Sequence, residues 1–252
     1  MVWTRKIHSI PDYRFCLTYF SYAIFKEVKS PNLESVVFII AQDLIWVLAS
    51  IVILWTKPFS ISLLGNQIIT LVALIVLIFG IGQSIGVSQT DSVGESGHKQ
   101  LRFERTITAS KEKVWKVVAD VANYHQVAPN IDSVEILSGQ GKGMVRRCSH
   151  KTDHWTEVAT LWEEGEQYVF EVDTEAADYP YPLKQLQGTW KVEKVSQQQT
   201  RVVMIFEFTY TRKIHSLVLH PFMKTQFNSV CETLLDNWQT ELESKVHKNS
   251  KP

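Results

Sequence analysis

Apolar residues follow two regimes along this chain: unbroken runs up to residue 82 and alternating patterns from residue 101. The first run, VVFIIAQDLIWVLASIVILW from Val36 to Trp55, has only Gln42 and Asp43 as strongly polar members. At about 1.5 Å per residue, about twenty helical residues cross a hydrocarbon core of about 30 Å. A second run, SISLLGNQIITLVALIVLIFGIG from Ser60 to Gly82, follows after Thr56-Lys57-Pro58-Phe59, which leaves room only for a tight hairpin. Residues 35–86 are therefore expected to form a transmembrane hairpin. Trp55 stands at a span end, where an interfacial anchor belongs, and Trp46 does not. Asp43 is the one ionisable residue inside a span; a protein-facing functional carboxylate and a protonated or interface-reaching one fit it equally.

Residues 1–34 contain RFCLTYFSYAIF, Arg14 to Phe25, which is apolar and aromatic but short. It reads as an interfacial segment in preference to a third span, and no small-residue cleavage site marks it as a signal peptide. Arg5, Lys6, Arg14, Lys26 and Lys29 precede the first span, against Lys57 alone in the hairpin loop. The positive-inside rule then places the N-terminus in the cytoplasm, and two crossings return the chain to that side. Residues 87–100, VSQTDSVGESGHKQ, are polar and aperiodic and read as a flexible linker.

The pattern then becomes that of a folded domain over residues 101–246, with a short tail at 247–252. LRFERTITA places Leu101, Phe103, Arg105 and Ile107 on one face of a strand, with one charged exception. Ser110 is a suitable N-cap for a helix carrying Val114, Trp115, Val118 and Val121, and a second helical piece around Tyr124 closes at Pro129. Six strands follow: DSVEIL, GMVRRCSH, WTEVATLW, YVFEVD, GTWKVEKV and TRVVMIFEFTYT, joined by turns such as SGQGKG and EEGEQ. The longer stretch TEAADYPYPLKQLQ reads as a lid or rim. A final helix, opened by Pro221, lines up Phe227, Val230, Cys231, Leu234, Leu235, Trp238 and Leu242 on one side. A single antiparallel sheet covered by that helix gives an α+β two-layer domain.

Composition narrows the chemistry. Basic and acidic residues balance at 26 each, so no global basic field marks nucleic acid as a partner. Three cysteines, Cys16, Cys148 and Cys231, are far apart and read as reduced thiols. His150, Asp153 and His154 could ligate a metal, but they lie in a hairpin turn without a third histidine nearby, so neither metal nor cofactor is expected. Glu157, Glu171 and Glu207 are the candidates for a general base; alternation sends Glu171 and Glu207 to solvent and leaves Glu157 open. Of Arg146 and Arg147, one points to each side of its strand, and a buried arginine would need a partner such as a ligand carbonyl or phosphate. No P-loop, dinucleotide fingerprint or nucleophile elbow occurs.

From Leu101 to about Val246 the order of elements and several strings resemble the START-like superfamily, of the polyketide cyclase/dehydrase and lipid transport type. KVWKVVADVANYHQVAPNIDSVEIL is similar to the start of that domain. PLKQLQGTWKVEKV followed by VVMIFEFTY is similar to the Leu-x-Gly-x-Trp strand pair of its coenzyme-Q-binding and ribosome-association-toxin branch. The aromatic frequent near the second-helix proline is replaced by Val127-Ala128, so a ligand contact through it is not carried over. The resemblance implies a helix-grip fold, about seven curved strands around the C-terminal helix, with a cavity for an apolar small molecule or lipid. The residues supply a matching lining: Tyr168 and Phe170 on one strand, Trp190 on the next, and Met204, Phe206, Phe208 and Tyr210 on the last. Phe103, Trp155, Phe227, Leu234 and Trp238 complete the candidate ligand-binding set, and the alternative for all of them is packed core. The expected function is a membrane-anchored binding module for a lipid, quinone or polyketide-like compound. A cyclase or dehydratase using the same cavity, or a protein-interaction domain without ligand, are the rival expectations. The partners expected are thus the membrane and a hydrophobic small molecule, with a protein partner left open.

Overall fold

A computed structural model describes residues 33–93 and 97–249, except for the side chains of 245–249. The chain divides into two compact units after Gln83. The interfacial segment expected within residues 1–34 falls on residues 1–32, outside the described residues, apart from its last two positions.

The first unit holds helix α1, Leu33–Thr56, and most of helix α2, Leu63–Thr90, both long and apolar enough to cross a membrane. Helix α1 ends where Lys57 turns left-handed (φ 45°) and its N–H reaches back to the Ile53 carbonyl at 3.0 Å, and Pro58 then bars continuation. Asp43 faces α2: a Cβ on Gly80 would stand 3.7 Å from the Asp43 Cβ.

The second unit begins with the last turns of α2. Residues 87–93 and 97–100 differ from the expected linker: α2 runs on to Thr90, a two-residue strand β1 (Ser92–Val93) follows, and β2 (His98–Ile107) starts three residues earlier than Leu101. The physical reason is satisfaction of polar groups. Buried Lys99 donates to the Ser88 carbonyl at 2.5 Å, to Ser88 Oγ at 2.8 Å and to Ser92 Oγ at 2.6 Å. Asp91 accepts from His220 Nε2 at 2.9 Å and Lys224 Nζ at 2.8 Å, and His220 Nδ1 lies 3.1 Å from the Tyr210 hydroxyl. A polar, aperiodic sequence thus forms an ordered junction rather than a tether.

Helix α3 (Lys111–Val118) and a 3-10 turn (Tyr124–Gln126) precede six strands: β3 (Ser133–Ser138), β4 (Val145–His150), β5 (Asp153–Glu163), β6 (Gln167–Val172), β7 (Leu183–Lys194) and β8 (Thr200–Tyr210). They form one antiparallel sheet in the order β1-β2-β8-β7-β6-β5-β4-β3. Helix α4, Lys213–Asn249, packs on β2 and β8, and α3 packs on β7 and β8. Ser110 occupies the N-cap of α3, but its side chain makes no capping bond. Helix α4 starts eight residues before Pro221, the expected opening, which now lies inside it. Its first two turns are held from the side, because buried His220 bonds both Asp91 and Tyr210.

Two irregularities set side-chain directions. Arg105, the charged exception on the inner face of β2, reaches α4, with Nη2 2.7 Å from Glu232 Oε2, Nη1 donating to Gln239 Oε1 at 3.1 Å, and a further pair to Asp236. In β5 the register slips between Ala159 and Leu161. The bulge turns Trp162 inward, where it stacks on Tyr168 at 5.2 Å, whereas strict alternation puts it on the face opposite Trp155. The core between sheet and helix includes Leu101, Ile107, Val114, Val118, Cys148, Val192, Val202, Leu234, Leu235 and Trp238.

Candidate functional site

Strand pairing gathers the aromatic side chains at the centre of the sheet. Trp190 on β7 pairs with Tyr168 on β6 and with Met204 on β8, and the Trp190 and Tyr168 rings stack with centroids 5.1 Å apart. The Leu186-x-Gly188-x-Trp190 string has a steric cause. A Cβ on Gly188 would stand 2.5 and 2.6 Å from atoms of the Trp190 ring, so the indole can fold over β7 only where that side chain is absent. Tyr168 is fixed in turn by donating its hydroxyl to the Val118 carbonyl at 2.9 Å.

Next to this cluster the sheet and α4 part around a cavity of about 260 Å³. Its walls are Phe170 and Val172 of β6, Leu183, Leu186 and Trp190 of β7, Phe206 of β8, and Met223, Phe227, Val230, Cys231 and Leu234 of α4. Tyr124 from the 3-10 turn and Tyr179 and Tyr181 from the β6–β7 loop close the sides. Burial pushes the Tyr124, Tyr179 and Tyr181 phenols and the Cys231 thiol up from their ordinary values, which keeps them neutral.

One wall is charged. Arg146 of β4 and Glu157 of β5 are cross-strand partners, and both are buried. Arg146 Nε donates to Glu157 Oε2 at 2.8 Å, and Nη2 lies 2.6 Å from the same oxygen. Glu157 Oε1 accepts from the Trp155 indole N–H at 2.6 Å. The Arg146 Cζ lies 3.9 Å from the Phe170 ring centroid and 5.2 Å from that of Tyr124. Burial works against the guanidinium charge, but Glu157 outweighs it and holds Arg146 above the ordinary arginine value. Arg146 Nη1, Trp190 Nε1 and the Tyr179 hydroxyl are buried around the cavity without a hydrogen-bond partner among the described residues. The arrangement is an apolar chamber with surplus donors, whose complement is a ligand that carries acceptors.

The twelve residues expected to bind ligand divide evenly. Trp155, Phe170, Trp190, Phe206, Phe227 and Leu234 line the cavity. Phe103, Tyr168, Met204, Phe208, Tyr210 and Trp238 are packed among neighbours instead. The Tyr124 ring, which lines the cavity, lies 6.1 Å from those of both Trp190 and Trp238, and Trp238 does not line it. Sequence reasoning missed Tyr124, Leu186 and the α4 residues Met223 and Cys231 as lining. Tyr179 and Tyr181 lie in the stretch expected to be a lid or rim. Glu157, the open candidate for a general base, has both oxygens engaged. His154 Nε2 lies 2.7 Å from Asp178 Oδ2, while His150 lines the cavity.

A sheet that grips one long helix around an apolar cavity can be compared with known proteins. Residues 98–243 match the family described as polyketide cyclase / dehydrase and lipid transport. The chain belongs to this family. Among solved structures, its polyketide cyclase/dehydrase and lipid transport domain is similar to the Zhui aromatase/cyclase from Streptomyces sp. R1128. That match has 17% identity and a TM-score of 0.52, and it covers 62% of this chain and 99% of that one. A START superfamily protein from Mycobacterium smegmatis matches at 14% identity and TM-score 0.47, covering 57% and 97%. The first likeness shows the helix-grip fold. No curated protein matches the chain.

Proposed function

We propose that the protein is a membrane-anchored binding module that holds an uncharged, apolar small molecule between sheet and α4, with an acceptor group of that molecule directed to Arg146. The observation that carries this reading is the cavity itself, apolar and aromatic on most sides, with buried unpartnered donors on the rest. Its volume of about 260 Å³ lies just below the about 300–1,000 Å³ of typical small-molecule sites, which suits a few rings or one chain and not a whole two-chain lipid. Arg146 and Glu157 cancel in charge, so a carboxylate or phosphate would enter as an uncompensated buried anion, while a carbonyl, ether or hydroxyl oxygen would not. Anchoring suits such a ligand, because it holds the cavity where apolar compounds dissolve. We place the folded domain on the cytoplasmic side, on the strength of the basic residues before the first span.

Native mass spectrometry of the detergent-extracted full chain tests the reading. One neutral apolar molecule per chain is expected, and it should be lost from a Val230→Phe variant whose larger side chain fills the cavity. Retention of the same molecule by that variant, or recovery of phospholipid alone, would refute it.

A further inference from the structure

Within the first unit, α1 turns one face to α2 and leaves the opposite face bare. Asp43 looks toward Gly80 of α2, and Ile40, Val47 and Ser50 are buried on that same side. Phe38, Gln42, Ile45, Ala49 and Val52 recur at intervals of four, three, four and three residues. At about 100° per residue they form one narrow stripe, on the side of α1 away from the buried residues. Phe38, Ile45 and Val52 are 68%, 67% and 56% exposed, and Gln42 and Ala49 are exposed with them. A repeat of about 3.5 residues is the spacing of a seam that packs against another helix.

Gln42 is the member of this stripe that an acyl chain does not suit. It lies about 9 Å along the helix inside the apolar run that starts at Val36. The hydroxyls of α1 are satisfied within the helix: Ser50 Oγ donates to the Trp46 carbonyl at 2.9 Å, and Thr56 Oγ1 to the Val52 carbonyl at 2.8 Å. The Gln42 amide has no hydrogen-bond partner among the described residues. An amide carries donors and an acceptor together, so it is its own complement. Copies of one chain share one orientation in a membrane, so α1 of a second copy runs parallel and brings its Gln42 to the same depth. Ala49, two turns along the seam, lets the two backbones come close.

We propose that two copies of the chain pair through this face of α1, with a two-fold axis along the membrane normal and the two Gln42 amides hydrogen-bonded across it. The interface is isologous: Phe38, Ile45, Ala49 and Val52 meet the same residues of the second copy, and Gln42 fixes their register. A second copy is the occupant because it offers a matching amide at the matching depth and repeats the seam spacing opposite it. Side-chain hydrogen bonds and close packing at small residues are what hold helices together in lipid, where apolar contact alone gives no advantage over acyl chains. The proposal rests on the reading of α1 and α2 as membrane spans and is independent of what the cavity binds.

The test uses the full chain in a Cys16→Ser background, reconstituted in phosphatidylcholine vesicles at high lipid excess. Buried Cys148 and Cys231 are shielded from oxidation. A cysteine is placed at Val52→Cys on the seam or at Ile51→Cys, which is 48% exposed but points about 100° away. Copper phenanthroline should link two chains through position 52 and not through position 51. Pairing strength is then read by counting photobleaching steps from a dye on Gln197→Cys as lipid dilutes the protein. Gln42→Leu should weaken the pairing about 3- to 30-fold, the range of one interhelical hydrogen bond in lipid, and Gln42→Asn should keep most of it. Disulfides at both positions alike, or at neither, would overturn the seam. Pairing unchanged in Gln42→Leu would overturn the part given to the amide. Release of the chain from the vesicles by alkaline carbonate would remove the spans and this inference together.

Discussion

Gly188 and Arg146 both line the cavity, and each has a neighbour that a substitution would disturb. Gly188→Ala drives a methyl group into the Trp190 ring, and overpacking of this kind costs about 1–3 kcal/mol. Chemical denaturation should show that loss, together with altered tryptophan fluorescence as the indole is pushed toward the cavity. Arg146→Met strands Glu157 as a buried carboxylate without its cation, and breaking a buried pair in this way costs about 3–5 kcal/mol. Replacing both members, Arg146→Met with Glu157→Leu, is expected to recover most of that stability while abolishing preference for ligands with an acceptor oxygen. If the double variant were as unstable as the single one, the pair would be needed for the fold rather than for selection.

Among the elements, the junction between α2, β2 and α4 carries a defined pH dependence. Burial raises the Asp91 carboxyl, but the hydrogen bonds from His220 and Lys224 outweigh it and hold it below the usual carboxylate range. A carboxyl depressed in the folded state contributes stability above its unfolded value of about 4 and loses it as pH falls through the folded value. Thermal unfolding of wild type and Asp91→Asn should therefore differ at neutral pH and converge below about pH 4. A gap that persists in acid would mean that Asp91 acts through packing rather than charge. On α4, Leu235→Ala removes a fully buried side chain facing the sheet and should cost about 2–5 kcal/mol by denaturant unfolding. The six strands from β3 to β8 and the apolar stripe of α4 were legible because strand and helix periods leave different marks on a sequence. The junction was not, because Ser88, Asp91, Ser92 and Lys99 are held by polar partners distant in sequence, and polar residues carry no period. The inward turn of Trp162 was hidden for a related reason: one bulged residue reverses every later prediction of facing. Half of the expected lining proved to be packed core because alternation tells which side of a sheet a residue faces, and the gap between α4 and the sheet is set by how α4 lies.

At the scale of the whole molecule, two helices long and apolar enough to cross a membrane precede a domain of the polyketide cyclase/dehydrase and lipid transport family. If the proposed orientation holds, a thiol probe at Gln197→Cys, in the β7–β8 turn, should react only after permeabilisation of intact cells. Reaction from outside would reverse the orientation. The cavity between sheet and α4 is proposed to take an uncharged apolar ligand, and saturable binding is the test. N-phenyl-1-naphthylamine should be titrated into the full chain in lipid nanodiscs, with protein-free discs as the blank. One saturable site per chain is expected in the wild type, lost in Val230→Phe without a fall in thermal stability. Binding that never rises above the blank, or that is the same in Val230→Phe, would contradict it.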